Sequence, residues 1–173
     1  MGTDYCPRCG NRRTGSLRFC GSCGYDLDQD VPGSGASGNL MSPITVYESE
    51  QVTVWYHPDR KVIHHQMHKY THGQAYRDAL MAGLEAMKEY HAQKWLSDDR
   101  LNPVLKPEDQ QWSGGVWRPA VIAAGWKYWA IVQPENVIAK LRMDKLAEVY
   151  SKLGVTVQFF GDPEEAMKWL ESP

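Results

Sequence analysis

Residues 127–132 read KYWAIV, a run that is apolar at nearly every position. A strand that is apolar on both faces is typical of a parallel sheet with helices on either side of it. Helical patterns flank this run, the first between Pro107 and Gly125 and the second from Ile138 to Gly154. Strands that alternate with helices in this way predict an α/β domain with a mainly parallel sheet.

Other segments of the chain show the period-two alternation of strands. The sequence HPDR at 57–60 stands between two of them and predicts a hairpin turn. This hairpin would give the sheet an antiparallel edge. The predicted strands are Ile44–Tyr47, Val52–Tyr56, Lys61–Met67, Lys94–Ser97 and, after the second helix above, Val155–Phe160.

Two further helices begin with capping signals. Thr71 followed by Gln74 forms a capping-box pattern, and apolar positions then follow a helical period to about Tyr90. Asp162 precedes a proline and two glutamates and is expected to cap the last helix. The glycines at 114–115 are expected to interrupt the helix in which they lie. The predicted order is β-β-β-α-β-α-β-α-β-α.

Cysteine and tryptophan are segregated along the chain. All four cysteines lie in the first 23 of the 173 residues, whereas all seven tryptophans follow position 54. Between them, the segment DQDVPGSGASGNLMSP is rich in glycine and serine, which is typical of a flexible linker. We therefore predict a cysteine module at 1–27, a linker at 28–43 and the α/β domain at 44–173.

The cysteines are arranged as two C-x2-C pairs, formed by Cys6, Cys9, Cys20 and Cys23. Such pairs are typical of a tetrahedral four-thiolate Zn²⁺ site, and the segment resembles a zinc ribbon. Two disulfides are the alternative, but the chain shows no export signal that would favour them. A closed shell of four thiolates leaves no open coordination position, so the zinc is expected to be structural. Elemental analysis should find one zinc per chain.

Charge and hydropathy exclude several classes of function. The net charge is −2, and residues 44–173 carry 15 basic against 17 acidic residues, without the positive footprint of a phosphate-binding domain. Four arginines in the cysteine module leave nucleic-acid binding open there, although we favour docking to a protein partner. No apolar run reaches the roughly 18 residues of a membrane span. The N-terminal residues lack a signal-peptide pattern, so we expect a cytoplasmic protein.

Several segments of the sequence resemble those of a known protein family. They are HPDRKVIHH at 57–65, KWLSDDR at 94–100, PEDQQW at 107–112, AAGWKYWAIV at 123–132 and DPEEAMKWL at 162–170. From about Val54 to Leu170 the chain resembles the SpoIIAA-like domains, also called STAS or SEC14-like domains. The resemblance implies a compact mixed-sheet domain used in bacterial regulation, often without catalysis. The Asp-Ser-Ser-Gly phosphorylation motif of that superfamily is replaced here by LSDDR, so no phosphorylation switch is expected.

The candidate ligand or partner site follows the strand at 94–97. Ser97, Asp98, Asp99 and Arg100 stand where open α/β sheets bind ligands, and they offer groups for acid–base chemistry or anion binding. The alternative, which we favour, is that an aspartate closes the loop and Arg100 pairs with an acid. Among the crowded aromatic residues, Trp112 and Trp117 are the candidates for ligand or partner contact, while Trp129 is expected in the core.

Six histidines lie at 57, 64, 65, 68, 72 and 91. A metal site or a pH switch is conceivable, but no acidic residue stands at ligand spacing, so exposed histidines on the sheet surface are favoured.

These features predict a non-catalytic regulatory or protein-interaction module with a structural zinc ribbon. The alternative is a carrier or enzyme for a small apolar or anionic ligand, with its site near Asp98–Arg100 and the Trp112/Trp117 region. The sequence does not indicate the oligomeric state.

Overall fold

The computed structural model describes residues 41–134 and 145–173. The predicted cysteine module, most of the linker and the first part of the predicted helix from Ile138 lie outside the described residues. The strands are β1 (Ile44–Glu48), β2 (Val52–His57), β3 (Val62–Met67), β4 (Lys94–Asp98), β5 (Tyr128–Val132) and β6 (Thr156–Phe160). The helices are α1 (Gly73–Glu89), α2 (Pro107–Trp112), α3 (Arg118–Ala123), α4 (described over 145–151) and α5 (Pro163–Glu171).

The described strands form one mixed sheet in the order β1-β2-β3-β4-β5-β6. β1, β2 and β3 are antiparallel neighbours, whereas β3, β4, β5 and β6 are parallel to one another. The apolar run at 127–132 supplies β5, which pairs with a parallel strand on each side. The α/β class and the antiparallel edge are therefore confirmed.

Each face of the sheet packs against different helices, and side chains alternate between the faces. On the first, which we call the α1 face, Ile63, Trp95 and Val54 pack in one core with residues of α1 and α3. On the second, the α5 face, Val62, Leu96 and Ala130 pack against Ala166, Met167 and Leu170 of α5. This double coverage explains why β4 and β5 are apolar at consecutive positions.

Trp95 is the centre of the α1 face. Its side chain is fully buried, and its ring meets Trp117 and Trp126 edge to face, with centroids 5.1 and 6.5 Å away. The backbone of α1 comes so close that a Cβ added at Gly83 would lie 2.9 Å from Trp95 Cζ2. The glycine is therefore required by the width of the tryptophan ring.

The predicted capping box at the start of α1 is wrong. The Thr71 hydroxyl donates to the carbonyl oxygen of Lys69 at 2.8 Å, and the N-cap residue His72 makes no side-chain cap. The cap comes from α2, where Asp109 Oδ2 accepts a 2.8 Å hydrogen bond from the backbone N–H of Gly73. A residue remote in sequence thus caps the N-terminus of α1, where the local pattern predicts a cap by Thr71.

The other predicted helix ends agree better with the structure. Asp162 Oδ1 accepts hydrogen bonds from the N–H groups of Glu164 and Glu165, at 2.8 and 3.1 Å, which confirms the cap of α5. The glycines at 114–115 do not end the helix but form part of a π-helical turn, Ser113–Trp117, between α2 and α3. Among the helices of residues 41–134 and 145–173, none is long and apolar enough to cross a membrane.

Candidate ligand-binding site

A cavity of about 400 Å³ lies on the α1 face, where the parallel strands β3, β4 and β5 end. Its floor is the sheet, and α1, the π-helical turn, α3 and α4 form its walls. Single π-helical turns inside α-helices are frequent at functional sites, and this one places three of its residues in the cavity wall. The polar and aromatic side chains of the lining include His65, Ser97, Asp99, Asn102, Trp117 and Arg118.

His65 is held by hydrogen bonds on both ring nitrogens. The indole N–H of Trp95 can only donate, and it meets His65 Nδ1 at 3.0 Å. The proton of a neutral His65 is therefore on Nε2, which donates to Asp99 Oδ1 at 3.0 Å. The chain from Trp95 through His65 to Asp99 connects the buried core to a carboxylate in the cavity wall.

Ser97 lies beside His65 but is not activated by it. The two residues are paired across β3 and β4 and face the same side of the sheet. Both nitrogens of His65 are already engaged, and Ser97 Oγ instead accepts a 2.8 Å hydrogen bond from Trp129 Nε1. The hydroxyl hydrogen of Ser97 is left to donate. The arrangement suits Ser97 to hydrogen bonding rather than to nucleophilic attack.

Asn102 contributes an unsatisfied donor. Its side chain is buried, and its Oδ1 accepts from the N–H of Thr71 at 3.2 Å. Its Nδ2 has no hydrogen-bond partner within the described part of the chain. Buried polar groups are nearly always paired in folded proteins, so this amide is an exception, and it belongs to a residue that lines the cavity.

Arg118 brings a positive charge to the cavity wall. Its guanidinium lies 5.7 Å from the centroid of the Tyr150 ring, and its Nη2 donates to the carbonyl oxygen of Gly114 at 3.3 Å. Burial raises the pKa of Tyr150, and the Arg118 cation partly opposes that rise. Burial, and then the carboxylate of Asp99, raise the pKa of Tyr76. Both phenols are therefore neutral at physiological pH and offer uncharged walls.

The structure divides the predicted segment 97–100 between the two faces of the sheet. Ser97 and Asp99 line the cavity, whereas Asp98 is buried on the α5 face. Arg100 donates two hydrogen bonds of 2.8 Å to Asp98, from Nε to Oδ1 and from Nη2 to Oδ2. The hydrogen bond and charge of Asp98 raise the pKa of Arg100. The favoured pairing of Arg100 with an acid is thus seen, while Asp99 remains available to a ligand.

The two candidate tryptophans are also separated. Trp117 is buried, lines the cavity and donates from Nε1 to the carbonyl oxygen of Leu80 at 3.0 Å. Trp112 is half-buried and lies outside the lining, where the Arg77 guanidinium stands 5.5 Å from its ring centroid. Trp129, expected in the core, lines the cavity as well.

The histidines occupy different environments. The expectation of exposed side chains is confirmed for His68, His72 and His91. It is wrong for His57 and His64, which are half-buried, and for His65, which is 4% exposed because helices cover that face of β3. Within residues 41–134 and 145–173, no group of three or more His, Cys, Asp or Glu side chains could hold a metal ion.

His64 predicts a pH-dependent stability. Burial, and then the His57 and His65 rings, lower its pKa to about 3, with Asp98 acting weakly in the other direction. Because the folded pKa lies below the unfolded value of about 6.5, this contribution is complete above pH 6.5 and is lost as the pH falls toward 3. At pH 5 we expect a loss of about 2 kcal/mol relative to pH 7.

Urea unfolding of the full chain at pH 7 and pH 5 measures this loss. The His64→Asn variant should show a much smaller difference between the two pH values, whereas His91→Asn, at an exposed position, should behave like the wild type. An unchanged pH dependence in His64→Asn would contradict the assignment to His64.

The sequence does not identify four residues of the cavity wall as parts of a ligand site, namely His65, Asn102, Arg118 and Tyr150. The one available signal was the alternation along β3 and β4, which puts His65 and Ser97 on the same face once their register is known. The other residues come from separate elements whose packing no local pattern encodes.

No protein-family model matches the chain, and neither a curated protein nor a solved structure matches it. The class that the fold and the site define is an α/β domain with a mixed six-stranded sheet among the described residues and a cavity at its parallel strand ends. The function is therefore argued from the geometry of this cavity.

Proposed function

We propose that the protein is a non-catalytic regulatory module, similar to STAS-type proteins, whose α/β domain binds a small molecule in the strand-end cavity. The observation that carries this proposal is the cavity itself, of about 400 Å³, which is lined by aromatic side chains and by the charged side chains of Asp99 and Arg118. Ligand pockets commonly have volumes of roughly 300–1,000 Å³, apolar walls and a few fixed polar groups. In this cavity the aromatic side chains provide the apolar walls, and Asp99 and Arg118 provide fixed polar groups.

Binding without chemistry is supported by the state of the polar groups. His65 would be the natural general base, but Trp95 and Asp99 occupy both of its nitrogens. Ser97 is left without a base. These groups are placed to recognise a ligand rather than to move a proton.

The cysteine module completes the proposed function. One structural Zn²⁺, held by Cys6, Cys9, Cys20 and Cys23, would fold a ribbon that docks a protein partner in the cytoplasm. Ligand binding in the α/β domain would then report to that partner through the linker.

A pure protein-interaction module is the second candidate. Two apolar side chains in the loop after β4, Leu101 and Val104, are 58% and 56% exposed. Exposed apolar side chains of this kind also suit a protein partner.

Native mass spectrometry of the full chain, isolated from its own host, distinguishes the candidates. We expect a small molecule to co-purify with the wild type and to be lost from Val104→Trp, because Val104 stands in the cavity wall. Val116→Trp is the matched control, since Val116 is similarly exposed at 54% but is not part of the lining. A stoichiometric protein partner with no small molecule would overturn the ligand proposal in favour of the interaction module.

A further inference from the structure

The charges of the cavity specify the class of its ligand. We infer that the cavity binds a small aromatic zwitterion, with an ammonium group at Asp99, a carboxylate within reach of Arg118 and a ring against the tryptophans. This inference rests on the proposed ligand-binding function and adds the chemistry of the ligand to it.

Asp99 and Arg118 are the only fully charged side chains of the described lining. The Asp99 side chain is 20% exposed, and its Oδ1 receives the His65 hydrogen bond, which leaves Oδ2 for a ligand donor. His65 is neutral in this arrangement, so it does not cancel the Asp99 charge. A group that is cationic and donates hydrogen bonds is the natural complement to a carboxylate in a partly desolvated site.

Arg118 requires the opposite complement. Within the described residues its guanidinium contacts the Tyr150 ring and a backbone carbonyl rather than a carboxylate. A ligand with only an anionic group would satisfy Arg118 but would also bring a second negative charge near Asp99. A ligand with only an amine would pair with Asp99 but would bring a second positive charge near Arg118. A zwitterion provides a partner for each of the two charges and adds no net charge to the cavity.

Neutral donors near Asp99 support the same chemistry. The N–H of Asn102 donates to the carbonyl oxygen of Asp99 at 2.9 Å, so the two residues belong to one tight turn. Asn102 and Ser97 both line the cavity. The Ser97 oxygen accepts from Trp129 Nε1, which leaves the hydroxyl hydrogen as a neutral donor for a ligand acceptor. A molecule whose ammonium and carboxylate are close together, as in an α-amino acid, presents both kinds of group at one end.

The remaining lining determines the other end of the ligand. Tyr76, Trp117, Trp129 and Tyr150 are all part of the wall. Aromatic side chains favour edge or offset contacts with a ligand ring, each worth about 0.5–1.5 kcal/mol beyond the buried area. The volume of about 400 Å³ leaves room for one ring system together with the charged end of the ligand.

Isothermal titration calorimetry of the full chain with matched indole probes tests this inference. The probes are L-tryptophan, tryptamine, indole-3-propionate and 3-methylindole, which carry both charges, the amine only, the carboxylate only, and neither. We expect L-tryptophan to bind at least about tenfold more tightly than each of the other probes.

Variants then assign each charge to its partner. Asp99→Asn should weaken binding of L-tryptophan and tryptamine by about tenfold and leave indole-3-propionate no weaker than before. Arg118→Gln should weaken L-tryptophan and indole-3-propionate but spare tryptamine. Binding of 3-methylindole should be the same in the wild type and both variants, which shows that the variants are folded and that their cavity is intact.

The probe experiment decides the zwitterion inference, whereas the co-purification experiment decides the proposed function. Equal affinity for all four probes, or no binding of any at millimolar concentration, would overturn the zwitterion inference. The proposed function would still stand if Val104→Trp loses a co-purified molecule. Binding of L-tryptophan that Val104→Trp leaves unchanged would place the probe outside the cavity and overturn the inference as well.

Discussion

Replacing Trp95 with alanine is expected to lower the free energy of unfolding by about 3–5 kcal/mol. The side chain is fully buried, and its ring contacts Trp117 and Trp126 as well as the backbone of α1 at Gly83. Because Gly83 has no side chain, α1 offers no side-chain atoms at this contact to fill the space that the indole leaves. Urea unfolding of the full chain, followed by circular dichroism, measures the loss.

Gly83→Ala tests the same contact from the helix side. In the wild type its Cβ would overlap the Trp95 ring, so we expect a loss of about 1–3 kcal/mol despite the better helix propensity of alanine. In the Trp95→Ala background the same substitution should be neutral or stabilising, because the overlapping atoms are gone. The two changes should therefore show a coupling well above the roughly 0.5 kcal/mol expected of independent sites.

Gly115→Ala is the matched control for this cycle. A Cβ at Gly115 would meet no atom within 4 Å, so the substitution should leave stability unchanged or slightly improved in both backgrounds. Additive effects of Gly83→Ala and Trp95→Ala would contradict the close packing of α1 on the tryptophan.

The order of strands and helices along the chain and the α/β class of the domain could be predicted because they are encoded locally. The apolar run at 127–132, the hairpin turn at 57–60 and the change from strand to helix periodicity each depend on neighbouring residues only. Alternation even predicts that successive residues of 97–100 diverge, once β4 is known to end at Asp98. The sequence does not show which face receives the cavity, since that depends on which helices cover each side.

The cavity could be predicted only in part for the same reason. Ser97, Asp99 and Trp117 were candidates, but Asp98 and Arg100 were grouped with them because they are neighbours in sequence. His65 and Arg118 reach the site from β3 and α3, and their positions follow from strand register and from the π-helical turn. Neither feature has a reliable local signature, so burial of His65 beside Trp95 could not be foreseen.

The start of α1 shows the competition between local and remote signals most directly. Thr71 and Gln74 match a capping box, but the Thr71 hydroxyl is already used by carbonyl oxygens outside the helix. Asp109, far along the chain, takes its place and also accepts a 3.2 Å hydrogen bond from Arg77 Nε. A tertiary contact has displaced a local preference, and the stability of this helix end should depend on Asp109.

Asp109→Ala is accordingly expected to lower the free energy of unfolding by about 2–4 kcal/mol. The carboxylate is 1% exposed. Its removal leaves the N–H of Gly73 without an acceptor and Arg77 without its ion pair, whose Nη2 to Oδ1 distance is 3.1 Å. Since Arg77 is 31% exposed and can reach water, most of the loss should come from the orphaned backbone N–H. Urea unfolding of the full chain measures it.

The neighbouring Glu108 supplies the matched control, because it is exposed in the same first turn of α2. Glu108→Ala should change stability by no more than about 0.5 kcal/mol. Asp109→Asn keeps an oxygen acceptor for Gly73 but loses the charge facing Arg77, so its effect should fall between the two. If Asp109→Ala were as mild as Glu108→Ala, the remote cap would not stabilise α1. Tyr76, one turn further along that helix, would then owe its position in the cavity wall to its other contacts, among them the edge-to-face contact with Trp112.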